Sequence, residues 1–165
     1  MAFLLADGFD NDQVTKVKQA LTEKGAKVKI VSKFLGTLKG KNGEEIEVDK
    51  NHVTTASIMY DAIFIPGGKG NLEQLMMQGD AIHFVNEAFK HHKPIAASGE
   101  GVGLLIKSEI KGIKFSESEG DDLVADKGVV TTQAVNDLNS FSDQFIKAIV
   151  KHRHWEREEK GMVPA

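Results

Sequence analysis

The sequence predicts an α/β domain with a mostly parallel, doubly wound sheet between layers of helices, and three observations predict it. Short apolar runs at residues 2–6, 28–31, 62–65, 94–97 and 129–131 suit strands buried on both faces. Segments with helical apolar spacing separate most of these runs, so strand, helix and strand recur in the order of βαβ units. The chain has 165 residues, 41% hydrophobic and 27% charged, which is enough to bury one core of this kind.

Ala2-Phe3-Leu4-Leu5-Ala6 is the first strand and stops at Asp7-Gly8. From Asp10 onward Val14, Val17, Ala20 and Leu21 share a helical face, with Gly25 as the stop. Residues 28–31 follow as a second strand. Residues 35–48 alternate loosely around Gly40-Lys41-Asn42-Gly43, which predicts a small β-hairpin whose Asn-Gly turn tolerates positive φ. The strand at 62–65 ends in Pro66-Gly67-Gly68. A helical stretch over about 72–91 follows, broken into two helices at Gly79-Asp80. The strand at 94–97 runs through Gly99-Glu100-Gly101 into a helix carrying Leu104, Leu105 and Ile106. After the strand at 129–131, Asn139 or Ser140 caps a last helix with Phe141, Phe145, Ile146, Ile149 and Val150 on one side. Residues 1–155 read as one domain and 156–165 as a charged, flexible tail or docking segment.

Composition excludes several function classes. The net charge is −3, and the nearest approach to a basic stripe, Lys16 to Lys29, is interrupted by Glu23, so nucleic acid is not an expected partner. The chain has no cysteine, hence no disulfide, thiolate metal site or cysteine nucleophile, in keeping with a cytoplasmic protein. No apolar run approaches the roughly 18 residues needed to span a bilayer, so no membrane role is expected.

A mostly parallel sheet places its ligand site beyond the carboxyl ends of its strands. Three segments occupy that edge: residues 6–13, 66–70 and 97–101. Ala97-Ser98-Gly99-Glu100-Gly101 has the small residues of a nucleophile elbow, but the elbow position is Gly99, which has no side chain. Ser98 lies one position early, where it would point into the sheet or cap the helix, and no base is evident for it. Pro66-Gly67-Gly68 could offer backbone N–H groups to an anion, or could simply be a tight turn that needs glycine.

Of the acidic residues, Asp10 or Asp12 is explained by helix capping. Asp7, Asp121 and Asp122 complete a set that does not follow a Ca²⁺-loop order. His91 and His92 suit a helix C-terminus, and His152 and His154 lack ligand spacing, so no metal is expected. Trp155, the sole tryptophan, is either an anchor against a partner surface or packed on its own domain.

Read together, the three edge segments resemble the ThiJ/PfpI superfamily, related to class I glutamine amidotransferases, and imply a flavodoxin-like three-layer sandwich. Laying the family pattern on the chain puts the acidic residue that supports the family's cysteine at Gln13. It puts the nucleophilic cysteine at Gly99 and the residue after it at Glu100. The implied remnant of a site therefore comprises Gln13, Gly67, Gly68, Ser98, Gly99 and Glu100, with no catalytic residue among them. A narrower set of motifs covers almost the whole chain and resembles the C-terminal domain of large-subunit haem catalases. It comprises Ala6-Asp7-Gly8-Phe9-Asp10, Gly36-Thr37-Leu38, Val53-Thr54-Thr55-Ala56-Ser57, the stretch from Gly79 to Ala88, Lys93-Pro94-Ile95-Ala96-Ala97 and His152-Arg153-His154-Trp155.

That resemblance implies a non-catalytic module of a hydrogen-peroxide-detoxifying catalase, contributing to assembly, stability and access to the haem channel. Haem belongs to the parent core and none to this chain, so Tyr60 is expected in the core of the domain rather than on iron. The implied partners are the catalase core and neighbouring subunits of a homotetramer. A second reading is a holdase chaperone with unfolded clients, for which Leu75-Met76-Met77 is the candidate apolar surface. A third is a residual glyoxalase- or hydrolase-type enzyme using Ser98 or Glu100.

Overall fold

The computed structural model describes residues 1–108, 110–116 and 123–157. Nine strands and five helices of four residues or more make up these parts: β1 (Ala2–Leu4), α1 (Asn11–Glu23), β2 (Lys29–Ser32), β3 (Gly36–Lys39), β4 (Glu45–Val48), β5 (Lys50–Asn51), β6 (Ile63–Ile65), α2 (Lys69–Met76), α3 (Gly79–Lys90), β7 (Ile95–Ser98), α4 (Val102–Lys107), β8 (Val124–Asp126), β9 (Val129–Thr132) and α5 (Leu138–Val150). Seven strands form one sheet in the order β5-β2-β1-β6-β7-β9-β8, parallel except that β8 runs against β9. The chain winds outward from β1 to β5, returns to β6, and winds out the other way, so the order reverses between β1 and β6. This is the flavodoxin-like α/β architecture that the sequence predicts.

Both faces of the sheet are dry, which is why its strands are continuous apolar runs and not alternating ones. Within each run successive side chains still part to opposite faces. Phe3, Leu5, Phe64, Ala96 and Val130 pack with α1 and α5, while Ala2, Leu4, Ile63, Ile65, Ile95, Ala97 and Val129 pack with α2, α3 and α4. Phe64 anchors the first of these layers, edge-on to Phe3 at 4.8 Å and tilted against Phe141 at 5.9 Å. Such aromatic pairs add about 0.5–1.5 kcal/mol beyond the area they bury.

The predicted hairpin is β3–β4, antiparallel and outside the main sheet, with Gly43 at φ +91° in its turn. It is tied to the edge of the sheet by Gly8 N–H donating to Lys39 O and Lys41 N–H donating to Phe9 O. Three boundaries differ from the sequence expectation. The break between α2 and α3 falls at Met77-Gln78, so Gly79 opens the second helix, and α2 starts earlier, at Lys69, directly after Gly68. The last helix is capped by Asp137, whose carboxylate accepts from Ser140 N–H, and not by Asn139 or Ser140. Strands β5 and β8 are too short and too polar to give a periodic signal. Glu156 and Arg157, grouped with the tail, lie in a short 3₁₀ turn, Trp155–Arg157. Residues 158–165 of that tail lie outside the described residues.

Two buried polar side chains are hydrogen-bonded and a third is not. Tyr60 is in the core, its hydroxyl 3.1 Å from Thr55 Oγ1. Lys93, almost fully buried, donates from Nζ to the carbonyls of Ile58 and Tyr60. His52 is buried against Phe84 with neither ring nitrogen hydrogen-bonded. Burial pulls its pKa down to about 4, against a weaker upward pull from Asp80. A depressed imidazole pKa makes the folded state bind its proton later than the unfolded chain does, so stability present above pH 6.5 is lost as pH falls towards 4. Replacement of His52 by Leu is expected to flatten that fall, which amounts to roughly 3 kcal/mol at about 1.4 kcal/mol per pKa unit. Urea unfolding of both proteins at pH 7 and pH 4.5 measures it, and equal slopes with pH would refute the assignment.

Candidate functional site

The three predicted segments meet at the carboxyl edge of the sheet, beside the β1/β6 reversal. The loop after β1 carries Asp10, whose carboxylate caps α1 by accepting from Gln13 N–H at 3.1 Å and pairs with Lys41 Nζ at 2.6 Å. Burial pulls this carboxyl upward, but the Lys41 ammonium and the Gln13 N–H outweigh it and hold it below the usual carboxylate value. That cap fixes the first turn of α1 and aims the Gln13 side chain inward, where it is buried.

Gln13 is the centre of the site. Its Oε1 accepts from Gly67 N–H at 2.7 Å and from Ser98 Oγ at 2.5 Å. Glu100 fills the neighbouring position, its Oε2 accepting from Gly68 N–H at 2.8 Å. The two backbone N–H groups that a Pro-Gly-Gly turn could offer to a bound anion are thus occupied by side chains of this chain. Gly99 keeps the strained conformation of an elbow, at φ +54°. A Cβ there would lie 3.1 Å from Gln13 Nε2 and 3.5 Å from Val135 Cγ1, so the space above the elbow is filled. Ser98 neither caps the following helix nor faces a base; its hydroxyl donates to an amide oxygen, which cannot take its proton.

The turn itself is held by backbone closeness. Gly68 has φ +110°, and a Cβ on it would stand 2.2 Å from Gly8 O. Asp10 N–H donates to Gly67 O at 2.9 Å, and Asn71, fully buried, donates to Pro66 O and accepts from Ala6 N–H. Gly68 is therefore required by packing at this edge.

The remaining sequence candidates lie elsewhere. Asp7 accepts from Lys39 N–H, and Asp121 and Asp122 lie outside the described residues. His91 is the C-cap of α3, 3.7 Å from Glu87, and His92 follows at φ +58°. Among the described residues no group of three or more His, Asp or Glu gathers where a metal could bind. Of the apolar trio, Leu75 is buried and Met76 packs on the core, so Met77 alone is exposed. Sequence reasoning missed a cleft of about 190 Å³ off the ends of β1 and β2, lined by Ser32, Phe34, Leu35, Gln74 and Gln78 among others. Its lining comes from β2, β3, α2 and the loops beside them, and no local motif announces it.

Two sets of substitutions test this geometry. Gln13→Met keeps the volume but strands the Gly67 N–H and the Ser98 hydroxyl, with an expected loss of about 2 kcal/mol in urea unfolding. No loss would mean that water replaces the amide. Gly25 also has positive φ but open space around it, so Gly25→Ala is expected to cost about 1 kcal/mol. Gly68→Ala should cost at least about 3 kcal/mol because the methyl group also meets backbone; equal losses would remove the close-approach argument.

The family model for the C-terminal domain found in long catalases matches residues 1–159. Catalase HPII of Mycobacterium avium is 39% identical over 168 aligned positions, covering all of this chain and 23% of the relative. Catalase-2 of Bacillus subtilis is 33% identical, covering 95% of this chain and 21% of the relative. The chain thus spans about a fifth to a quarter of the length of the catalases it matches. Among solved structures, a two-domain protein of Anabaena variabilis with DJ-1/ThiJ/PfpI-like and ferritin-like domains superposes with a TM-score of 0.83. It is 19% identical, over 99% of this chain and 51% of that one. A ThiJ/PfpI domain protein of Brachyspira murdochii gives 0.82 at 17% identity, over 91% and 95%. These structures share the fold, the sequence relatives share the family, and the chain belongs to the family of C-terminal domains found in long catalases.

Proposed function

We propose that this chain serves a long catalase as a non-catalytic module, contributing to assembly and stability of the parent tetramer and to access to its haem channel. The observation that carries the reading is the filled elbow. Acyl-transfer or glyoxalase chemistry needs a nucleophile, a base aligned on it and free donors for the developing oxyanion. Here the elbow is Gly99, Ser98 faces the Gln13 amide, and the Gly67 and Gly68 N–H groups are already bonded to Gln13 and Glu100. A residual hydrolase would have to break several of these bonds before it could bind substrate.

Neither Tyr60 nor the cleft off β1 and β2 suits haem. Tyr60 is in the core with its hydroxyl beside Thr55, and the cleft off β1 and β2 holds about 190 Å³ against the roughly 300–1,000 Å³ usual for ligand pockets. No His, Tyr or Met lines that cleft. On this reading peroxide chemistry belongs to the rest of the parent protein. A holdase role is the second reading, favoured by the exposed Met59 and Met77, whose flexible thioethers suit varied partners.

Deleting the domain from the parent catalase is expected to lower its melting temperature or its tetramer content while leaving turnover per haem within about twofold, below 0.5 kcal/mol of barrier. The purified chain is expected to show no Soret band and no peroxide turnover. Stoichiometric haem on the chain, or a deletion that changes neither assembly nor melting, would overturn the reading. Suppression of client aggregation by the chain at equimolar ratio would favour the holdase alternative instead.

A further inference from the structure

We infer that the amino edge of the sheet, centred on Trp155, is the surface on which the catalase core of the same polypeptide packs. The inference rests on the function proposed above and adds to it a place and a set of residues. In long catalases this family is the C-terminal domain, so the core lies on the N-terminal side. The first strand enters at the amino edge: Met1 donates from its amine to Lys27 O at 2.8 Å, and Ala2 N–H donates to Ala62 O at 3.0 Å. A chain that continues from such a core enters the domain at that edge, opposite the filled elbow.

The segment after α5 crosses the same edge and is fastened there on both sides of Trp155. His154 N–H donates to His92 O at 2.9 Å, and its ring Nε2 lies 3.0 Å from Ala148 O. That ring lies so close over Gly128 that a Cβ there would stand 2.1 Å from it. Arg157 donates to Lys127 O at 2.6 Å and to Lys93 O at 2.9 Å, with its guanidinium 4.7 Å from the Phe89 ring centre. Between these two anchors Trp155 leans on His92, ring centres 5.0 Å apart, and is still 62% exposed. A tryptophan whose backbone is already fixed gives up little freedom on docking, and it offers a large rigid area with one N–H donor.

Its apolar company is on the same edge. Val150, in the last turn of α5, is 80% exposed. Ile58 and Met59 are 54% and 74% exposed, in the turn that Lys93 holds through the Ile58 and Tyr60 carbonyls. Lys93 therefore ties that turn to the Arg157 anchor. Four of the nine large apolar residues exposed among those described belong to this one edge. Hot spots of protein interfaces are enriched in tryptophan and lie within such apolar surroundings. The expected counterpart is an apolar depression on the core that admits the indole and offers its N–H an acceptor.

The test uses the full-length catalase with a photoreactive p-benzoylphenylalanine in place of Trp155, in tetramers mixed from isotopically light and heavy chains. Crosslinks into core residues of the same chain are expected. Crosslinks confined to residues 158–165, to a second copy of this domain or to a neighbouring subunit, or none at all, would overturn the inference. In the same protein Trp155→Ser should speed proteolytic release of the domain at least tenfold and Trp155→Phe much less; equal rates for all three would also overturn it. Core crosslinks in a catalase that tolerates deletion of the domain would sink the assembly reading and leave this inference standing. The reverse pattern would do the opposite.

Discussion

The side-chain amide of Gln13 is the contact on which the carboxyl edge of this domain depends. One oxygen receives the backbone of the β6–α2 turn and the hydroxyl at the end of β7, and the residue itself rides on the first turn of α1. Three segments far apart in sequence are joined at one atom, in surroundings where an unmet donor is costly. The neighbouring glycines follow from it. Gly68 approaches the Gly8 carbonyl too closely to carry a side chain, and a side chain on Gly67 would displace the Gln13 amide or the Glu100 carboxylate. Asp10 follows too, because its cap sets the direction in which Gln13 points.

Around that edge the domain is a sheet with two dry faces, and most of it is legible in the sequence for that reason. Runs such as Ile63-Phe64-Ile65 must be buried wherever they fall, and the helix faces between them repeat at 3.6 residues. Asn42-Gly43 and Gly25 announce their turns through the backbone angles they permit. Lys50-Asn51 and Val124-Ala125-Asp126 announce nothing, because a strand of two or three mixed residues exists only by virtue of a neighbour already in place. The capping of α5 illustrates a subtler loss. Asp137, Asn139 and Ser140 are all good caps, and only the path of the chain from β9 chooses among them.

The candidate site was legible in part. The sequence places Gln13, Gly67, Gly68, Ser98, Gly99 and Glu100 at the strand ends, and the structure joins all but Gly99 by hydrogen bonds, with Gly99 packed beside Gln13. What could not be read is that these groups satisfy each other. A sequence shows which donors and acceptors exist but not how they are paired, since pairing is a matter of distance across the fold. The Leu75-Met76-Met77 trio fails for the same reason: helical phase sends Leu75 inward, and only tertiary packing reveals which neighbour takes Met76 with it.

The amide at position 13 also has an evolutionary consequence. A cysteine introduced at Gly99 alone would bring its Cβ to 3.1 Å from the Gln13 nitrogen, and so would push on the amide that holds the edge together. A change at Gln13 alone would abandon two donors with nothing reactive gained in return. Neither step is favourable without the other, which is strong coupling between two residues in contact. The two positions are therefore one unit, and a reactive elbow in this domain calls for a paired change at residues 13 and 99.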